Sequence, residues 1–353
     1  MKPSLRLSAV ISWHRAILVA VMFMLAVPAS PGWAEAQEDW GAAILVYHRF
    51  GEQKHPSTNT KLDQFKAQLA ELSLGPYRVV PLREIVAALR GGSAPPDRAV
   101  AITVDDAYRS VYEAAWPLLR EAGLPFTLFV STDLIDQGAP DLMTWAQVAE
   151  LAQSPLVTIG NHSAGHLHLP EHAAEKATAD ILRAQNRLEQ KLGFAPDIFA
   201  YPFGELSLDL KAAVRELGFK AAFGQYSGAI GPRSDRYELP RFAMNEEFGD
   251  LERLRVATSS LPLPVEDLMP KDPFLKPSAN PPLAGFTLRP GVGNPSALAC
   301  YSNAEGLRVE RLGRRVELRF AGPLAPGRTR VNCTLPAADG RWRWLGRQFL
   351  VAE

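Results

Sequence analysis

Between residues 42 and 260, short apolar runs alternate with longer stretches in which apolar residues recur every three or four positions. That alternation restricts the segment to an α/β domain built on a largely parallel sheet. The runs at 43–47, 99–103, 126–130, 156–159, 198–200 and 220–223 read as strands. Between them Leu62, Phe65, Leu69 and Leu72 mark one helix face, and Val111, Ala115, Leu118 and Leu119 a second. Ile181, Leu182, Leu188 and Leu192 mark a third, and Leu208, Ala212, Val214 and Leu217 a fourth. Gly123, Gly193 and Gly218 end three of these helices, where left-handed C-caps favour glycine. The repetition of strand, helix and glycine suggests a barrel more than a short open sheet, and the periodicity alone leaves closure open.

The pattern changes after residue 260. Pro262, Pro264, Pro270, Pro273, Pro277, Pro281 and Pro282 crowd residues 261–284, as in a linker or a wrapping segment. Residues 285–353 then carry short alternating runs at 286–288, 298–301, 316–320, 329–333 and 342–344, the pattern of a small β-sandwich. The two cysteines of the chain, Cys300 and Cys333, both fall there. In an exported protein such a pair most simply forms a disulfide, and two reduced core thiols are the alternative. Trp342 and Trp344, two apart, face one side of a strand, either as a sugar-stacking platform or as core packing beside the cysteines.

At the N-terminus, Lys2, Arg6 and Arg15 precede the apolar run 16–27, which gives way to Pro28, Ser30, Pro31 and Gly32 and then Ala34-Glu35-Ala36. This is the pattern of a secretory signal peptide cut after Ala36. The apolar run falls short of the roughly 20 residues that span a bilayer, so an uncleaved anchor is the weaker reading. The expectation is a periplasmic or secreted protein with no membrane span after cleavage. Its parts are a signal peptide (1–36), an α/β domain (37–260), a proline-rich linker (261–284) and a small β-sandwich (285–353). Across 353 residues, 38 Lys and Arg balance 38 Asp and Glu, which leaves no electrostatic case for binding nucleic acid or anionic lipid.

Three clusters at predicted strand ends carry the chemistry, where parallel-sheet folds place their sites. In Thr103-Val104-Asp105-Asp106 two adjacent carboxylates follow an apolar strand, and holding them together needs a cation or a proton. In Gly160-Asn161-His162-Ser163-Ala164-Gly165-His166 two histidines four apart can reach one metal ion. His168 and His172 extend that phase but sit among Leu167, Leu169 and Pro170, as structural or surface residues do. Asn161 breaks a Gly-x-Ser-x-Gly pattern, so Ser163 is not read as a nucleophile. The third cluster, Phe199-Ala200-Tyr201-Pro202-Phe203-Gly204, forces a sharp turn able to present a backbone N–H to a cleft. One carboxylate and two histidines form a three-ligand site with open positions, and a second carboxylate beside it can take a proton from water.

On these motifs the chain resembles the polysaccharide deacetylases of carbohydrate esterase family four over about residues 42–250. The resemblance implies a distorted, incomplete (β/α) barrel. It assigns Asp105 as the base, Asp106, His162 and His166 as metal ligands, and Phe203 as the source of an oxyanion N–H. Zinc is the default metal, with nickel or cobalt suited to the same ligands. The sequence departs from the family at Val104 and Ala107, which replace a phenylalanine and a glycine, and at Ala200, where an arginine usually buttresses the base. Arg241, in Leu239-Pro240-Arg241, is the candidate substitute. No late Leu-x-His motif supplies a general acid, but the branch resembling exported poly-N-acetylglucosamine deacetylases carries that histidine on its first strand. Val46-Tyr47-His48 fits that order and makes His48 the expected acid, with a structural histidine at the pocket rim as its rival. The implied activity is removal of N-acetyl groups from a glucosamine-containing polysaccharide, with exopolysaccharide export machinery as a partner class. An O-acetyl polysaccharide esterase and a non-catalytic glycan-binding or assembly protein on the same fold are the alternatives.

Overall fold

All six residues of strand β1 (Ala42–Tyr47) are buried, as are all seven of β2 (Ala99–Asp105). Strands covered on both faces are the mark of a parallel sheet flanked by other layers. The alternation of side chains divides them: Ala43, Leu45 and Tyr47 join one apolar cluster, and Ala42 and Ile44 another. Strands β3 (Phe126–Val130), β4 (Val157–Asn161), β5 (Ile198–Ala200), β6 (Ala221–Phe223) and β7 (Phe242–Ala243) complete the main path. The parallel order is β7-β1-β2-β3-β4-β5-β6, with the short strand Arg78–Val79 also paired to β2. The computed structural model describes Met1 and residues 40–352. The signal peptide expected at 1–36 lies outside the described residues, apart from Met1. Among the described residues no helix is long and apolar enough to cross a membrane.

The sheet curls into a barrel that one irregular segment bridges. Leu239 forms a parallel bridge with Phe223 at the end of β6, and Phe242 and Ala243 pair with Leu45 and Val46 of β1. Residues 239–243 therefore touch both edges, and the barrel is seamed rather than completed by a full strand. Arg241 lies on this seam.

The proline-rich segment differs from a linker. It carries β8 (Leu261–Pro262), β9 (Val265–Met269) and β10 (Phe274–Leu275), and its prolines sit where a missing N–H is tolerated, at strand edges and turns. After it come β11 (Ala284–Leu288), β12 (Ala299–Ser302), β13 (Arg308–Leu312), β14 (Arg315–Arg319), β15 (Gly327–Pro336) and β16 (Trp342–Val351). One sheet runs β8-β16-β15-β12, with β10 also on β16, and the other runs β9-β11-β14-β13. Phe286, Leu288, Val316 and Leu318 of the second sheet pack with Val331, Leu335 and Phe349 of the first, which makes a sandwich.

Cys300 and Cys333 stand opposite each other in the β12–β15 register and are joined as a disulfide. Closing a loop between residues 33 apart is worth about 2–4 kcal/mol in a chain of this kind. Replacing both cysteines by serine is expected to lower unfolding stability by about that amount, measured by denaturant titration. An unchanged midpoint would show that the sandwich holds without the bridge.

The sandwich docks on the barrel through one face of β16. Trp344 meets Phe242 edge to face at 5.2 Å and donates to Asn332 Oδ1. Trp344 is therefore interface packing, while Trp342 remains 41% exposed. A Cβ on Gly346 would lie 1.7 Å from Ser227 O, so only glycine permits this close approach.

Candidate metal centre and active site

The two-residue period of β2 puts Ala99 and Ala101 in the barrel interior beside Phe129, Ala200 and Phe223, and puts Thr103 and Asp105 further along the same face. That period alone would send Asp106 to the opposite face. Instead the backbone turns left-handed at Asp106 (φ 73°) and Ala107 (φ 57°), and both carboxylates border His162. Asp105 Oδ2 lies 3.9 Å and Asp106 Oδ1 3.4 Å from His162 Nε2. His166 Nε2 lies 3.3 Å from the same Asp106 oxygen. Ser163, His166 and Phe203 are also left-handed, at φ 64°, 48° and 58°. Five non-glycine residues held in a sparsely populated region around one point are what strained functional sites look like.

The histidine loop is held from beneath. Asn161 Oδ1 accepts from Ser163 N–H, and the Asp180 carboxylate accepts from the N–H groups of Ala164 and Gly165. Ser131 Oγ donates to His162 O at 2.9 Å. His162 Nδ1 is 2.8 Å from Ala200 O, a contact it makes only as donor, which leaves the lone pair of Nε2 facing Asp106. Asp106 Oδ1 is buried with no hydrogen-bond partner of its own. One ligand atom from each of Asp106, His162 and His166 lies within 4.8 Å of the other two. A buried, unpartnered carboxylate oxygen facing two imidazole nitrogens is a donor set that fits a divalent transition metal. Burial alone would raise the Asp106 carboxyl, but the two imidazoles, in their protonated form, hold it well below its ordinary value.

Arg241 grips Asp105 with both arms: Nη1 is 2.7 Å from Oδ1 and Nη2 2.8 Å from Oδ2. Its Nε donates to Gly224 O, and Nη1 also reaches Thr103 Oγ1. Burial would raise the Asp105 carboxyl, yet Arg241 and then His162 bring it below its ordinary value. His48 stands on the other side of Asp105, with Nε2 4.0 Å from Oδ2 and 3.0 Å from Gln225 Nε2. Burial lowers the His48 pKa, against the opposing pull of Asp106 and Asp105. The Phe203 ring meets His166 edge to face at 4.5 Å and stacks on His168 at 4.1 Å. His168 in turn contacts buried Glu205 at 2.7 Å, and His172 lies apart, near Lys176.

The structure thus gathers His48, Asp105, Asp106, His162, His166, Phe203 and Arg241 in one place. It adds groups that sequence reasoning missed. Asp180 had a signal, since it falls on the buried stripe of its helix, Ala174–Leu192, with Ala177, Ile181, Ala184 and Leu188. Gln225 had none.

Residues 92–222 match the family model for polysaccharide deacetylase, so this segment is similar to a domain of that class of hydrolases. The poly-beta-1,6-N-acetyl-D-glucosamine N-deacetylase of Staphylococcus aureus (strain MRSA252) is 24% identical over 214 residues, covering 58% of this chain and 73% of that protein. The enzyme of the same name from Escherichia coli (strain K12) is 24% identical over 253 residues, covering 58% of this chain but 37% of its own longer one. Two solved structures share the fold. The Streptococcus pyogenes deacetylase PplD in complex with acetate has a TM-score of 0.58 at 21% identity, over 62% of this chain and 99% of that one. IcaB from Ammonifex degensii has a TM-score of 0.55 at 23% identity, over 62% and 98%.

Proposed function

We propose that this protein is an exported, metal-dependent N-deacetylase of a polysaccharide built from N-acetylated glucosamine. The observation that carries the reading is the convergence of Asp106, His162 and His166 on one point beside a carboxylate, Asp105, locked in a buried arginine fork. Asp106, His162 and His166 would hold zinc, or nickel or cobalt; a metal there polarises an acetamide carbonyl and makes water more acidic. Asp105 stays ionised under Arg241 and takes the proton of the attacking water. The Phe203 N–H faces the oxygen on which negative charge develops. His48, across Asp105, gives a proton to the departing amine, leaving acetate and a free amino sugar. The N-acetyl linkage follows the named activity of the relatives. Export rests on the basic-apolar-small pattern of residues 1–36 and on the disulfide, which suits an oxidising compartment such as the periplasm or the exterior. An exopolysaccharide export machinery would then be a partner.

Parallel assays on N-acetylglucosamine oligomers and on O-acetylated xylan test the linkage. Release from the N-acetyl substrate alone is expected; release from the O-acetyl substrate alone would make the protein an esterase. His162→Ala and His166→Ala are each expected to weaken zinc binding at least tenfold, measured by competition with a chromogenic chelator. Unaltered affinity in both variants would place the metal elsewhere.

A further inference from the structure

The turn Tyr201-Pro202-Phe203-Gly204 is strained, and the strain sits on the bond that matters. Gly204 N–H donates to Tyr201 O at 2.9 Å, and Phe203, the third residue, has φ 58° and ψ 4°. With proline second, this is a type II turn, whose third position calls for glycine; here it holds phenylalanine. A type I turn over the same residues needs no left-handed phenylalanine, and it differs by a flip of the central peptide. That peptide carries the Phe203 N–H. Something must therefore hold the turn against its easier alternative.

The C-terminal sandwich supplies the hold. Gln348 of β16 is buried, and its Nε2 donates to Phe203 O at 3.2 Å and to Gly204 O at 3.1 Å. Arg330 stands opposite Gln348 in the β15–β16 register and donates from Nε to Gln348 Oε1 at 3.0 Å, which fixes which end of the amide faces the turn. Arg328, two residues before it on β15, places its guanidinium 5.4 Å from the centre of the Phe203 ring, whose other neighbours are His168 and His166. A side chain on a distant sheet thus pins the carbonyls of the turn, while Arg328, His166 and His168 surround its ring.

We propose that Gln348, oriented by Arg330, is a positioning residue for the site: the sandwich locks the Phe203 turn in the form that aims its N–H at the reacting carbonyl. The proposal rests on the reading of that N–H as an oxyanion donor. A lost donor of this kind costs about 10²–10³ in kcat, and a turn that flips part of the time costs a fraction of that.

The test combines kinetics with a crystal structure. Gln348→Leu is expected to lower kcat about tenfold, within the limit set by a full donor, while KM and zinc affinity stay near wild type. Arg330→Met, at an exposed position that carries little folding risk, should lower kcat in the same direction by less. Because glycine takes the left-handed form without strain, Phe203→Gly in the Gln348→Leu background should recover most of the loss. The crystal structure of Gln348→Leu should show a negative φ at residue 203. A retained left-handed Phe203, or a kcat loss that Phe203→Gly leaves untouched, would overturn the positioning role. Should the wild type release no acetate from any acetylated glycan, the reading of the site fails, and the φ at residue 203 in Gln348→Leu still decides whether Gln348 holds the turn.

Discussion

Asp105→Asn is expected to cut acetate release about 10²- to 10⁴-fold while zinc still binds. The asparagine keeps the size and planarity of the carboxylate but cannot accept a proton from water. Asp106, His162 and His166 converge on one another without it, so the metal centre should persist. The measurement is kcat at saturating zinc alongside zinc affinity for both proteins. Arg241 would face a neutral amide in the variant, so assays belong well below its unfolding temperature. Wild-type turnover in Asp105→Asn would remove the base role from this residue.

The second large effect belongs to Arg241, which is fully buried and paired by both arms with a buried partner. Arg241→Met leaves Asp105 as an uncompensated carboxylate in the barrel interior, and breaking such a pair from one side costs about 3–5 kcal/mol. The sign of the pH dependence follows. In the wild type the folded Asp105 carboxyl lies below its ordinary value, so its contribution to stability is present above the unfolded value and lost as pH falls through the folded one. In Arg241→Met burial dominates and pushes the carboxyl up, so ionised Asp105 opposes folding at neutral pH. The stability gap between the proteins should therefore narrow as pH falls, and the acidic limb of kcat/KM should move to higher pH. Arg241→Lys keeps the charge without the planar fork and should fall between the two. Denaturant unfolding at several pH values reads the first effect and initial rates read the second. A pH-independent gap would mean that the ion pair is not what Arg241 contributes.

Much of the barrel was legible because its strands are covered on both faces and write themselves as unbroken apolar runs, as in β1 and β2. The candidate metal ligands were legible for a related reason: polar groups at the ends of such runs stand out, and Asp105-Asp106 and His162-His166 need little context. The substitute for the missing arginine at Ala200 was harder to place, since nothing local to Arg241 says that residues 239–243 bridge the two barrel edges. The proline-rich stretch reads as a linker or a wrapping segment because prolines suppress strand patterns. Its strands depend on partners distant in the chain, β8 and β10 on β16 and β9 on β11, rather than on their own composition. Gln348 was invisible for the same kind of reason. It lies in phase with Trp342, Trp344 and Gly346, on a face whose docking on the barrel is a tertiary fact. The left-handed phenylalanine at 203 was likewise unreadable from a Pro-Phe-Gly turn, because propensity would have put the glycine in its place.

The most direct measurement is acetate release from N-acetylglucosamine oligomers by the zinc-loaded protein, before and after removal of the metal with a chelator. Release that stops on chelation and returns with zinc is the expected result. No release from the loaded protein, with zinc demonstrably bound at His162 and His166, would contradict the deacetylase assignment.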